Sequence, residues 1–230
     1  MKKLVPALLA LILFVVSAWY GSTRHQYAKN PDPNHTHADF AVWMTTSGSG
    51  SNTDEIGAIQ KLDFSAPQYM TTEAEEEAAP VGSLKRYLHL HDGNGHVIHR
   101  HKPGLTIGDF FTSIGAKMSK TTTDAGRTIA DDCFSWTDTA GHINQRCSGE
   151  WGRTIHMFVN GKEVAYDPDY VFQDMDHILI VFASDDADIQ LALSQMTDDA
   201  CKYSLTCPWK GPAPTESCIS DPTVPCKIVP

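Results

Sequence analysis

The sequence predicts an α+β chain that is mainly β: a histidine-bearing antiparallel sheet, then a unit of helix, hairpin and strand, behind an apolar amino-terminal helix. Three observations carry that expectation. From His35 the side chains alternate at the period of a strand; residues 87–101 (YLHLHDGNGHVIHRH) form two such runs hinged on Asp92-Gly93-Asn94-Gly95; and residues 106–115 switch to apolar side chains at helical spacing. The 230 residues, 41% of them hydrophobic, suffice for a buried core. A formal net charge of −10, a pI near 5.4 and no local Lys/Arg cluster exclude the electrostatic footprint of a nucleic-acid binder and favour cations as partners.

At the amino end, Lys2 and Lys3 precede an apolar run over 4–20, at the lower limit for crossing a hydrocarbon core of about 30 Å. Trp19, Tyr20 and Arg24 read as an interfacial belt, so 1–23 is expected as a transmembrane signal anchor that holds the chain, single-pass, in the cell membrane. Val16-Ser17-Ala18 supplies the alternative, a cleaved signal and a secreted protein. Either way the bulk of the chain is extracytoplasmic, and its six cysteines are expected as disulfides. Cys133 and Cys147 suit a pair closing a hairpin or loop. Cys201, Cys207, Cys218 and Cys226 crowd into a proline-rich tail whose three connectivities stay open.

The remaining elements follow in order. Residues 24–34 read as a linker, and Phe40, Val42 and Met44 alternate with His37, Asp39 and Trp43 as in a half-buried strand. Residues 45–53 are a loop and 59–64 a second strand, while EAEEE at 73–77 reads as a solvated acidic face or loop, with a low-affinity cation trap as the alternative. After the hairpin, Thr106 can cap a helix with Asp109 in its first turn; Ile107, Phe110, Phe111 and Ile114 form its core stripe and Gly115 its stop. Residues 154–159 alternate into an Asn160-Gly161 turn answered by 163–165. Residues 177–182 (HILIVF) read as a strand buried on both faces, and Ile189, Ala192, Leu193 and Met196 as an amphipathic helix. The expected organisation is therefore a His-rich β region at 35–104, a second unit at 105–183, a helix at 184–200 and a disulfide-stapled tail at 201–230.

Three His-x-His pairs stand out: His35/His37, His89/His91 and His99/His101. Side chains at i and i+2 of a strand share a face, with α-carbons about 6.5–7 Å apart, so two imidazoles can converge on one ion. Parity fixes the hairpin register. A three-residue turn sets His89 opposite His99 and gathers His89, His91, His99 and His101 on one face, with Leu88, Leu90 and Ile98 on the other; a two-residue turn mixes the faces. His35 and His37 close over the imidazoles if the first strand packs beside the hairpin. Neutral imidazole is the ligand for Cu(II) or Zn(II), with Asp39 and Asp92 as ligands or second-shell acceptors. His25, His142, His156 and His177 are isolated in sequence and read as surface or core residues.

His35-Thr36-His37-Ala38-Asp39 resembles the His-x-His-x-Asp-His signature of metallo-β-lactamases, but Phe40 stands where the last His belongs and no apolar strand precedes it. Two other resemblances cover more of the chain. HTHADFAVW, YLHLHDGNGHVIHRH, LTIGDFF and CKYSLTCPWKGPAPTESC together resemble a family of uncharacterised, membrane-anchored extracytoplasmic proteins of bacteria and archaea. TIGDFF, FVNGKEV and DMDHILIVF resemble the helix, hairpin and last strand of β-grasp modules of the transcobalamin C-terminal-like kind, which implies a β-grasp-like fold for 105–183.

The functional expectation is an anchored extracytoplasmic protein that binds Cu(II) or Zn(II) for storage, delivery or sensing. Two alternatives use the same residues. One is an enzyme, either metal-dependent or of the protein-disulfide isomerase kind, although no Cys-x-x-Cys occurs. The other is an adhesion or assembly module whose histidines decorate a sheet and whose tail binds another protein.

Overall fold

The computed structural model describes residues 30, 32, 34–47, 56–124 and 127–212. The apolar amino-terminal run, Cys218 and Cys226 lie outside them, and among the described residues no helix is long and apolar enough to cross a membrane. The described chain is α+β, mostly strands, built about a mixed seven-stranded sheet.

At the centre, β1 (Thr36–Ser47) runs parallel to β12 (His177–Ala183), with Phe40 opposite Ile178 and Val42 opposite Ile180. Outward from β12 lie β10 (Thr154–Val159) and β11 (Lys162–Val164), each antiparallel to its neighbour. Asn160 and Gly161, both at positive φ, make the tight turn between them. The first half of β1 pairs antiparallel with β4 (Val97–Arg100), which carries β3 (Leu88–His89); the far half pairs with β2 (Ile56–Lys61). The sheet is thus mixed, and strands from both 35–104 and 105–183 belong to it. Strand β2 lies earlier than the expected 59–64, because Phe64 turns out of the ladder into the core.

Alternation along these strands sorts side chains onto two faces. Phe40, Val42, Met44, Leu88, Leu90, Ile98, Ile178 and Ile180 meet one core, closed by α3 (Ile107–Ser113) through Ile107, Phe110 and Phe111. The rings interlock edge to face: Phe40 and Phe110 are 5.0 Å apart and Phe111 and Phe134 4.9 Å, the offset geometry aromatic quadrupoles prefer. Helix α3 forms where the sequence placed it because Thr106 and Asp109 cap each other reciprocally, and Gly115 ends it at φ +81°. On the opposite face, Ala41, Trp43, Leu179 and Val181 lie under α4 (Asp186–Ser194) with Ile189, Ala192 and Leu193. Strand β1 is accordingly buried on both faces, not half-buried, since α4 covers the side expected to meet solvent.

Smaller pieces complete the molecule. Strands β5 (Lys117–Ser119), β8 (Cys133–Thr137) and β9 (Ile143–Cys147) form a second sheet, and β6 (Thr122–Asp124) pairs with β7 (Arg127–Ala130). Cys133 and Cys147 sit directly opposite in the β8–β9 ladder and are bonded, while Cys201 bonds Cys207 across a short loop holding α5 (Ala200–Tyr203). Two short helices, α1 (Glu73–Ala78) and α2 (Leu84–Tyr87), lead into β3.

Candidate metal centre

The hairpin adopts the register that segregates its faces: Leu88 lies opposite Arg100 and His89 opposite His99. Its turn is held by Asn94, whose side-chain oxygen accepts from the amides of His96 (3.0 Å) and Val97 (3.1 Å). Gly95 is required there, because a β-carbon would overlap the backbone of Phe64 and Ser65. Strand β1 then packs beside β4 with His37 opposite His99. The imidazoles of His35, His37, His89, His91, His99 and His101 therefore meet in one cluster: ring centres are 4.1 Å apart for His35 and His101, 4.4 Å for His35 and His37, 4.8 Å for His37 and His99, and 4.9 Å for His89 and His101. His37, His89, His99 and His101 are buried and His35 is half-buried.

Within the cluster the ligand atoms fall into two sets of three, each with its atoms inside 4.8 Å of one another: His35, His37 and His99, and Glu76, His89 and His101. Glu73, Glu75 and Glu77 are exposed, as a solvated acidic face requires, but Glu76 departs from that reading of the acidic run. That run is α1, with Thr72 and Glu75 in a reciprocal capping box, and Glu76 on its inner side is only 3% exposed. Arg86 fixes the helix end by donating to the carbonyls of Glu77 and Ala79, both at 3.0 Å. The sequence signal was present: Thr72-x-x-Glu75 marks a helix start, and a helix against a sheet must turn one side inward.

Partners around the rings assign their protons. A carbonyl or carboxylate only accepts, so His89 Nδ1 donates to Lys85 O (3.2 Å) and His91 Nδ1 donates to Asp92 (2.8 Å). Ser204 Oγ donates to Asp174 at 2.5 Å and so accepts from His37 Nδ1 at 2.9 Å. Each of these rings thus carries a proton on Nδ1, and fixing the tautomer in this way is the role that outer hydrogen bonds play around ligating histidines. His91 Nε2 in turn faces His99 Nδ1 at 3.1 Å, making Asp92, His91 and His99 a chain that turns His99 Nε2 to the first set. His91 thus stands behind a candidate ligand, outside both sets, and Asp92 stands behind His91.

The second set carries the strongest electrostatic constraint. His89 Nε2 contacts Glu76 Oε1 and lies 3.1 Å from His101 Nε2, while Glu76 Oε1 has no hydrogen-bond donor. With Nδ1 of His89 bonded to the Lys85 carbonyl, the buried contact between Nε2 and the Glu76 carboxylate calls for a positive charge between them, a proton or a metal ion. Burial holds the His101 imidazole well below the ordinary histidine range, and His35, His89, His99 and His37 push it the same way. A proton on His101 is therefore disfavoured, whereas one divalent ion would take up a lone pair from each of the three residues at once.

Asp39 lies elsewhere. Its buried carboxylate accepts from Thr197 Oγ1 (2.6 Å) and from the amides of Asp199 and Ala200 (both 2.9 Å), tying the entry of α5 to β1. It also neighbours His177 and Asp198 in a third group of ligating type, which gives His177 company the sequence did not show. His96 turns away from the cluster and meets Asp199 at 3.0 Å; His142 and His156 pair with Asp138 and Glu163. The loop closed by Cys201–Cys207 was also not foreseen at the site: it brings Ser204 to His37 and stacks the Tyr203 ring edgewise on His99 at 4.7 Å. No family model, curated protein or solved structure matches the chain.

Proposed function

We propose that this chain is an extracytoplasmic metal-binding protein, anchored by its amino-terminal apolar segment, that holds Cu(II) or Zn(II) for storage, delivery or sensing. The observation that carries the reading is the buried meeting of Glu76, His89 and His101, with their ligand atoms converging and the Glu76 carboxylate set directly against His89 Nε2. Imidazole with one carboxylate is a borderline donor set suited to those ions and poorly suited to Mg(II) or Ca(II), which take all-oxygen shells. Burial of the donors favours holding an ion over turning over a bulky substrate. The two disulfides and the Lys2/Lys3 apolar segment support an exported location. The strand order β2-β1-β12-β10-β11, with the first and last strands parallel at the centre and α3 across one face, supports a β-grasp reading in which β1 and β2 are the opening hairpin.

Elemental analysis of the full-length chain, purified in detergent and dialysed against buffered Zn(II) or Cu(II), tests the reading. Stoichiometric retention that His89→Ala lowers is the expected result. Retention below about a tenth of an ion per chain from both solutions would sink it.

A further inference from the structure

We infer that the cluster holds two ions in adjoining sites of unequal charge, an inference that rests on the metal-binding reading above. The donor atoms do not form one shell. His35, His37 and His99 converge over the β1–β4 pair, and Glu76, His89 and His101 converge over the β3–β4 pair. The β4 segment serves both sets, with His99 inside the strand in one and His101, just past its end, in the other. Adjacent strands lie about 4.8 Å apart, so two ions centred over neighbouring pairs are separated by on the order of 5 Å. The rings of His35 and His101, one from each set, are 4.1 Å apart and form the wall between the sites.

Three protein donors at each site leave a fourth tetrahedral position, and at this separation a small anion with two donor oxygens, such as carbonate, can bridge the two ions. An anion there also answers the charge problem. Two divalent ions bring four positive charges into a buried space where, among the described residues, Glu76 is the one carboxylate in either set, with Asp92 and Asp174 acting through His91 and Ser204. The sites therefore differ. The Glu76 set has the carboxylate, is buried throughout, and fills first and releases slowly; the all-histidine set includes half-buried His35 and binds its ion against the repulsion of the first.

The test is stoichiometry and magnetic coupling in the full-length chain. Titration with Cu(II) or Zn(II) should give two unequal steps that saturate at two ions per chain. Glu76→Gln, nearly isosteric, should remove the tighter step and leave one ion; His35→Ala, at the exposed edge of the cluster, should remove the weaker step and leave one ion. With one equivalent of Cu(II) the electron paramagnetic resonance spectrum should be that of an isolated ion. With two, the integrated intensity should fall below two spins and a half-field line should appear. Circular dichroism and thermal melting of each metal-free variant identify any that fail to fold, and the wild-type stoichiometry and spectrum decide the matter without them. Saturation at one ion per chain with no half-field line overturns the two-site arrangement while leaving metal binding intact. No uptake by the wild type overturns both.

Discussion

Glu76 shows what composition hides. Five acidic and small residues in a row read as a solvated face, yet one glutamate, turned inward by a helix too short to advertise its periodicity, becomes a candidate ligand. The histidines were legible because strand alternation puts i and i+2 on one face and because parity allowed only one hairpin register to segregate apolar from polar side chains. That register gives the sharpest residue-level prediction. His89→Ala should abolish the tighter step in isothermal titration and His99→Ala the weaker one, while His96→Ala and His142→Ala, which the fold turns toward Asp199 and Asp138, should change affinity less than about twofold, within the scatter of surface substitutions. Equal losses at all four would indicate diffuse surface chelation. Acid should act in one direction. His101 binds its proton less well folded than unfolded, so the metal-free protein keeps this stabilisation above the unfolded value near 6.5 and loses it as the pH falls from there toward the lowered folded value. Denaturant titrations of the metal-free chain between pH 7.5 and 5 should show the midpoint dropping with acid, and a midpoint rising in that window would contradict the assignment.

Among the elements, those written in local pattern appear where the sequence put them. Helix α3 has its cap, stripe and stop within a few residues, and Phe110 is fully buried, so Phe110→Ala should cost about 3–5 kcal/mol in chemical denaturation. A loss under about 1 kcal/mol would mean that the ring is not core. Strand β12 was likewise readable from its unbroken apolar run. The loop between Cys201 and Cys207 was not, because nothing local to KYSLT says that Ser204 reaches a histidine far earlier in the chain. Its consequence is measurable. Ser204→Ala removes the acceptor that fixes His37, and should weaken the more labile metal step about 10-fold, the usual effect of losing an outer partner of a ligand. Selective loss of the disulfide by Cys201→Ser with Cys207→Ser should weaken the same step at least as much. Unchanged affinity in both would show that the loop merely covers the cluster.

For the molecule as a whole, the sheet has one continuous apolar face and one divided face. Along the divided face the cover changes from Trp43, Leu179 and Val181 under α4 to imidazoles beside α5, and β1 crosses the boundary between His37 and Ala41. The parallel pairing of β1 with β12 joins residues from opposite ends of the described chain, which no windowed pattern can report. Exported, fully oxidised protein is the expectation at this scale: alkylation without reductant should leave all six cysteines unlabelled, and the chain should fractionate with membranes. Reproducible labelling of any cysteine would revive a thiol-exchange role.

The same long-range pairing sets an order of events. A chain emerging amino end first delivers β1 early, and His37 meets His99 once β4 has appeared, but Phe40 must wait for Ile178 and His37 for Ser204. Closing so large a loop makes the final step slow. During that interval the imidazoles of β1, β3 and β4 are within reach of one another but still lack the neighbouring strand and the disulfide-bound lid. An ion captured then would be held loosely and exchange freely; one present when β12 docks would be shut in. On the metal-binding reading proposed above, loading is tied to the completion of folding, so the ion kept is the one present when β12 docks.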